Sequence, residues 1–465
     1  MKLKTAKFVI LSFFLSAIIA PAPSECATSS NQTWAIHGKA VTENGIKDGW
    51  LVFSNGVISA VGTDESSVPP AARKVDWNGY IFPGLIDTHN HVDWNSIPQW
   101  TDGPFKSRYE WLDDPRYKAA VDAPHTALKP VIDDSRKYGE LRALIGGTTL
   151  IQGSFAQKQP DILVRNLDVR YKALNHVLPK IESLPDDKKN EYLTGLSNKS
   201  APNGIQRLFF HIGEGLSSDP ISANEYKVLV SKGFGQEGVV CIHGLALGSD
   251  DFADMANRKM FLVWSPVSNW NLYRAVTNIP QAMKAGVVIS LAPDWTLSGS
   301  DNLLEEMKFA YAIAYSNWGN TITAKDIFKM ATSDAAKVAG VDKSSITAGA
   351  GAPQGTLDVG YAADLFLAPS LEQPVNGTAD PYESLLRTYP KHIHLVFIDG
   401  KPIYGDKNVM SAIAPGADDL SVQNVAKSVI TTGGDPSKPD DQKHLPDIQK
   451  SIESKLTELA PLIEN

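Results

Sequence analysis

The chain has 465 residues, 43% of them apolar and 21% charged, with a formal net charge of -8. That composition excludes a disordered polypeptide and is long enough for one large domain and a smaller one. The acidic balance, with no basic patch, leaves nucleic acid nothing to bind, so no nucleic-acid partner is expected.

In chain order, residues 1–26 read as a secretory signal: Lys2, Lys4 and Lys7 precede an apolar stretch from Phe8 to Ala20, then Pro21-Ala22-Pro23. The stretch is too short for a stable membrane anchor, which predicts a secreted or periplasmic protein. Pro23 and Glu25 do not suit a lipid anchor on Cys26. Cys241, the other cysteine, sits inside an apolar run and reads as a small core residue, so no disulfide framework is expected.

From Trp34 to about Tyr80, short apolar runs alternate with Asn44-Gly45, Asp48-Gly49, Asn55-Gly56 and Asn78-Gly79, which predicts a small β unit over residues 33–80. Residues 81–91 then close an apolar run on two imidazoles: Ile-Phe-Pro-Gly-Leu-Ile-Asp-Thr-His-Asn-His. At a strand end, side chains at i and i+2 reach one point, so His89 and His91 can share a metal ion. Neutral imidazole suits zinc and iron, although a lone His-x-His also suits a polar strand face.

Three further apolar runs end in a ligand. Arg207-Leu208-Phe209-Phe210-His211 is followed by Ile212-Gly213-Glu214, Gly238 to Ile242 ends in His243, and Gly286 to Pro293 ends in Asp294. Singly, each histidine suits a core and the aspartate a helix N-cap. Four strand ends offering ligands is hard to explain as packing, since four of the ten histidines sit there. His37, His125, His176, His392, His394 and His444 lie outside the pattern, and the pair His392 and His394 opens a run, a structural placing.

Helical stretches from Asn302 to Ser316 and Thr323 to Ala339 alternate with these runs, as in β/α units around a parallel sheet over residues 81–350. Thr356 to Leu367 and His394 to Tyr404 return to the β pattern within residues 351–409. Residues 410–465 read as a linker, Thr431 to Leu445, and an amphipathic helix, Pro446 to Leu462.

Five motifs occur in one order: Pro-Gly-Leu-Ile-Asp-x-His-x-His, His-x-x-Glu, a strand ending in His, Ser265-Pro266-Val267-Ser268-Asn269, and a strand ending in Asp. This set resembles the amidohydrolase superfamily, most of all its cytosine and guanine deaminase and triazine hydrolase branch, over roughly residues 33–405. The resemblance implies an α/β fold: a (β/α)8 TIM-like barrel, with ligands at the carboxyl ends of its strands, and a small β-sandwich built from N- and C-terminal segments. It implies that His89, His91, His211 and Asp294 hold one divalent metal, zinc first and iron second. Glu214 becomes the proton shuttle, His243 the group that holds hydroxide or polarises the substrate, and Asp294 a proton acceptor as well as a ligand. Lys180, Lys188, Lys189 and Lys199 stand outside strands, so no bridging lysine, and one metal, is expected.

Two departures bear on specificity: Trp295 follows Asp294 where the branch usually carries glycine, and Ile151-Gln152-Gly153-Ser154 is unusual. Trp94, Trp264, Trp270 and Trp295 lie near the expected strand ends and suit the wall of a planar pocket, with Trp94, Trp295, Ser268 and Asn269 as substrate contacts. The implied activity is hydrolysis of a carbon–nitrogen bond other than a peptide bond in a small molecule, as heterocycle deamination or cyclic amide hydrolysis. The alternatives are a dipeptidase, a dehalogenating hydrolase, or a non-catalytic binding protein, which would be expected to have lost ligands. Assembly into a homo-oligomer is left open.

Overall fold

The described strands form one mixed sheet and two parallel ones. The structure, a computed structural model, describes residues 32–153, 163–176, 181–346, 351–371, 380–433 and 437–463. The expected signal 1–26, Ser154 and Lys180 lie outside the described residues.

The mixed sheet takes β1 (Trp34–Thr42), β2 (Gly45–Ser54), β3 (Val57–Thr63) and β4 (Arg73–Pro83) from the first part of the chain. The parallel strands follow: β5 (Leu85–Asp87), β6 (Thr148–Ile151), β7 (Arg165–Asn166), β8 (Ala173–His176), β9 (Arg207–Ile212), β10 (Val239–His243), β11 (Phe261–Trp264) and β12 (Val288–Leu291). β13 (Leu365–Ala368), β14 (Leu395–Ile398), β15 (Lys401–Asp406), β16 (Asp418–Val422) and β17 (Val425–Val429) return to the mixed sheet.

Hydrogen bonding joins the two β-rich segments in a single nine-stranded sheet, in the order β16-β17-β15-β14-β13-β4-β1-β2-β3. The two segments expected to form a sandwich thus share one ladder through β4, parallel to β1 on one side and antiparallel to β13 on the other. Trp34, Ile36, Leu51, Phe53, Leu365 and Phe397 share one apolar cluster, so neither segment has this core alone. The hairpin β16-β17 falls where the sequence predicts a linker-like tail. Its turn, Gln423 and Asn424, has positive φ at both residues (48° and 66°) without the glycine that usually marks such a turn.

β8 to β12 form a five-stranded parallel sheet in sequence order, and β5 to β7 a three-stranded one. They meet beyond β5 and β12, where Asn90 bridges Asp294 in parallel and Thr88 Oγ1 lies 2.7 Å from Ser290 Oγ. Side chains alternate between faces. Ile86, Leu150, Phe209, Ile242, Val263 and Ala292 share one cluster, while Leu208, Phe210, Cys241, Leu262 and Trp264 belong to another with the surrounding helices. Trp264 is therefore a fully buried core residue and not part of a pocket wall, which corrects the expectation from its place near a strand end. Its neighbours Val263 and Ser265 hold the other parity.

Asn302 caps the helix Leu303–Trp318 by accepting from the Glu305 amide at 3.2 Å. The stretch expected as one helix over 323–339 is two, Ala324–Ala331 and Ser333–Ala339, broken at Thr332 (φ -134°, ψ -95°), whose hydroxyl donates back to the Phe328 carbonyl. Buried Arg165 donates to Asp364 (2.6 and 3.0 Å) and to Asp399 (3.0 Å), tying β7 to the mixed sheet. No helix among the described residues is long and apolar enough to cross a membrane.

Candidate metal centre

The ends of β5, β9, β10 and the segment after β12 bring five metal-ligating side chains together, with Glu214 beside them. His89, His91 and His211 form one set, His89, His243 and Asp294 a second, and His211, Glu214 and His243 a third, the ligand atoms of each set lying within 4.8 Å of one another. His89 Nε2 is 3.1 Å and His91 Nε2 3.3 Å from Asp294 Oδ1. The His211 and His243 rings are 5.1 Å apart between centroids.

Backbone geometry aims two of these groups. His211 shares the inner face with Phe209, whereas alternation alone would place His243 with Cys241 on the outer one. His243 has φ +72°, a left-handed conformation that ends the strand and brings its Nε2 to 3.2 Å from His211 Nδ1. Asp294 also has φ +72°. Such conformations in residues other than glycine cost roughly 1–3 kcal/mol and cluster at functional sites.

Burial pushes the His89 ring down to about 4 and the His211 ring to about 3, so both are neutral at pH 7. Burial alone would raise Asp294, but the imidazoles of His89 and His91 beside it hold it well below the usual carboxylate range. His211 Nε2 is buried without a hydrogen-bond partner. Neutral imidazoles, one with an unpartnered ring nitrogen, beside an ionised carboxylate are the donor set a divalent cation needs, so these residues fit a metal.

Glu214 stands beside this set with both oxygens engaged. Oε1 accepts from the Tyr273 hydroxyl at 2.7 Å, itself an acceptor for Trp111 Nε1 at 2.8 Å. Oε2 lies 3.0 Å from His211 Nδ1, 3.5 Å from His243 Nε2 and 3.7 Å from buried Arg108. Burial pushes the Glu214 carboxyl up, but His243, His211 and Arg108 outweigh it and hold it at about 2.

Ser268 and Asn269 face the same centre from the helix Pro266–Tyr273. Ser268 Oγ donates to Asp294 Oδ2 at 2.6 Å, and Asn269 Oδ1 lies 3.1 Å from His243 Nδ1, so these side chains hold the site's own groups. Trp295 is 5.4 Å from the His91 ring and 5.9 Å from Trp94, which stacks on His125 at 3.6 Å. Trp270, half-buried, lies under Arg274. Sequence reasoning missed Tyr273, Arg108 and the part played by Gln152, whose Oε1 is 3.3 Å from His89 Nδ1. The one signal was the unusual run at 151–154, where a polar residue closes an apolar strand.

Residues 232–403 match the Amidohydrolase family. The chain is 32% identical over 127 residues to a 5-methylthioadenosine/S-adenosylhomocysteine deaminase of Thermococcus sibiricus, covering 27% of this chain and 30% of that relative. It is 23% identical over 419 residues to a 5'-deoxyadenosine deaminase of Methanococcus maripaludis, covering 79% of this chain and 93% of that protein. An adenosine deaminase from Xanthomonas campestris, solved with bound zinc, superposes with a TM-score of 0.59 at 16% identity, over 80% of this chain and 92% of its own. That likeness is one of fold and implies a TIM barrel beside a β-rich unit, in keeping with parallel β5 to β12 and the mixed sheet. Residues 232–403 carry the amidohydrolase family match.

Proposed function

We propose that the protein is a metal-dependent hydrolase that uses activated water to cleave a carbon–nitrogen bond other than a peptide bond, with deamination of a nitrogen heterocycle as its reaction. The observation that carries this reading is the convergence of His89, His91, His211, His243 and Asp294, with Glu214 beside them, at neighbouring strand ends. A closed (β/α)8 barrel is the scaffold that best accommodates the eight parallel strands. The resident metal is a single divalent ion, zinc in preference to iron, held by His89, His91, His211 and Asp294.

A divalent cation in such a site lowers the pKa of water from about 15.7 to about 7 and so makes hydroxide available at neutral pH. Asp294 takes the proton of the attacking water, since an ionised carboxylate keeps lone pairs beyond those used for binding. Glu214, ionised at rest, takes over that proton at Oε2, the oxygen facing His211 and His243, and passes it to the leaving nitrogen, while Tyr273 holds Oε1. His243 faces the same point and stabilises charge as the ring carbon becomes tetrahedral. Collapse of that carbon breaks its bond to nitrogen, leaving a carbonyl product and ammonia. Trp295 stands beside His91, Trp94 stands beside Trp295, and the two indoles suit a planar ring.

The test is a screen of zinc-loaded protein against purines, pyrimidines, adenosine-type nucleosides, hydantoins and lactams, with ammonia release as one readout and metal content as another. About one equivalent of zinc and turnover in one class are expected. Protein that retains no metal, or two equivalents, overturns the assignment as written. Export is the second part of the proposal, supported by the composition of residues 1–26. N-terminal sequencing of protein from the periplasm or medium is expected to find that segment removed, and an intact Met1 would refute it.

A further inference from the structure

Gln152 follows β6 directly and is fully buried. Its Oε1 lies 3.3 Å from His89 Nδ1, and its Nε2 donates to Asp168 Oδ1 at 2.9 Å. A carboxamide has one donor end and one acceptor end, and the end that meets an imidazole decides which ring nitrogen carries the hydrogen. Asp168 fixes that choice here, because a carboxylate only accepts. Its other oxygen takes the Gly153 amide at 2.7 Å, so the Nε2 end of Gln152 is committed and Oε1 is left for His89. His89 Nδ1 must then carry the hydrogen, and the Nε2 lone pair faces Asp294 Oδ1 at 3.1 Å. Two acceptors at that separation repel unless something positive lies between them.

The surroundings keep this chain of contacts in place. Asp168 sits in the first turn of the helix Leu167–Arg170, whose N-cap is Asn166. Gly153 has φ +109°, and a Cβ there would fall 1.6 Å from the Asn90 carbonyl, between the two histidines of the motif. A different strand end repeats the device without sharing a residue. Asn269 Oδ1 meets His243 Nδ1 at 3.1 Å, Asn269 Nδ2 donates to Thr277 Oγ1 at 3.1 Å, and the Thr277 hydroxyl donates to the His243 carbonyl at 2.7 Å.

We infer that Gln152 and Asp168 are a positioning pair that locks His89 in its Nδ1–H tautomer and so sets how tightly the centre holds its cation. The affinity half of this inference rests on the metal-dependent reading above; the tautomer half does not. Partners of this kind commonly change metal affinity by about 10- to 100-fold.

The experiment uses full-length protein with 15N-labelled histidine, stripped of metal by a chelator, at pH 7.5. The His89 tautomer is read from long-range 1H–15N couplings, and zinc affinity from competition with a chelating dye. Wild type is expected to show Nδ1–H. Gln152→Leu is expected to lose that single signature and to bind zinc about 10- to 100-fold more weakly, with the melting of the metal-free protein little changed. Gln152→Glu keeps an acceptor and is expected to keep Nδ1–H. Asp168→Asn frees the carboxamide to turn over, so an intermediate loss of affinity and a mixed tautomer are expected; this variant carries the test if Gln152→Leu does not fold. A wild-type ring protonated at Nε2, or a folded Gln152→Leu or Asp168→Asn with wild-type tautomer and zinc affinity, overturns the inference. Wild-type protein that shows Nδ1–H yet binds no zinc defeats the metal reading and leaves the lock standing.

Discussion

The two ends of β9 bury polar side chains to opposite purposes. At its start, the Arg207 guanidinium is 3% exposed and donates to the carbonyls of Gln206, Lys337 and Val338 at 2.8–3.0 Å. Those last two carbonyls close the helix Ser333–Ala339, so the charge caps a helix terminus. At the other end of the same strand, His211 has a buried ring nitrogen with no partner, and its second nitrogen lies between Glu214 and His243. Burial is similar at both ends; completeness is not. A satisfied buried polar group reads as structure, and an unsatisfied one among imidazoles and carboxylates reads as a metal-binding group.

That contrast can be broken by substitution. Asp294→Asn removes a ligand and a proton acceptor together, and turnover is expected to fall beyond the roughly 10⁴-fold upper range of a single proton-transfer group, with the fold retained by circular dichroism. Glu214→Gln leaves the ligands in place, so kcat is expected to fall about 10²- to 10⁴-fold while metal content stays near wild type. Turnover at the wild-type rate in either variant removes that residue from the mechanism. Arg207→Met acts at the structural end: the Val338 carbonyl loses the guanidinium while that of Lys337 keeps the Gly340 amide, a loss of about 1–3 kcal/mol, seen as a lower urea midpoint, with kcat of the folded protein nearly unchanged.

A pH-dependent test sharpens the comparison further. Glu306, fully buried on the helix Leu303–Trp318, accepts the Val267 amide at 3.0 Å, and burial pushes its carboxyl up to about 8. Between its ordinary value near 4.5 and 8, the folded protein holds a proton that the unfolded chain releases, so this group's contribution to stability falls as pH rises through that window. The limiting slope is about 1.4 kcal/mol per pH unit. Glu306→Gln is expected to flatten it, raising the urea midpoint at pH 8 more than at pH 5; an unchanged slope would show that Glu306 is already ionised.

The ligands were legible because an apolar run that ends in histidine or aspartate places a costly residue type where packing has no use for it. His89, His91, His211, His243 and Asp294 all carry that signature, and Glu214 follows from His211 at a fixed offset. Tyr273 and Arg108 carry none: they are ordinary residue types brought to Glu214 from 59 and 106 positions away by tertiary packing. Trp264 misled because nearness to a strand end says nothing of which face a side chain takes, and alternation turned it outward. The β16-β17 hairpin was hidden by a turn without glycine, and the break at Thr332 by helical periodicity that continues across it. The C-terminal helix was visible from its pattern, though it spans Leu445–Glu453 and not Pro446 to Leu462; its docking was not visible, with Ile448 and Ile452 in one cluster with Trp111 and Trp295 and, beyond the helix, the Ala460 amide donating to the Ser96 carbonyl.

The pairing of β4 with β13 has a kinetic consequence. Tyr80 faces Ala368 across roughly 290 residues of intervening chain, so one edge of β4 stays unpaired while that length is being made. At about 5–20 residues per second the wait is on the order of tens of seconds, long enough for a chaperone or a protease to act on the bare strand. A ribosome-arrested chain ending near residue 360 is expected to be cleaved within β4, and one extended past β15 to resist; equal resistance of both would show that the early strands fold without their late partner.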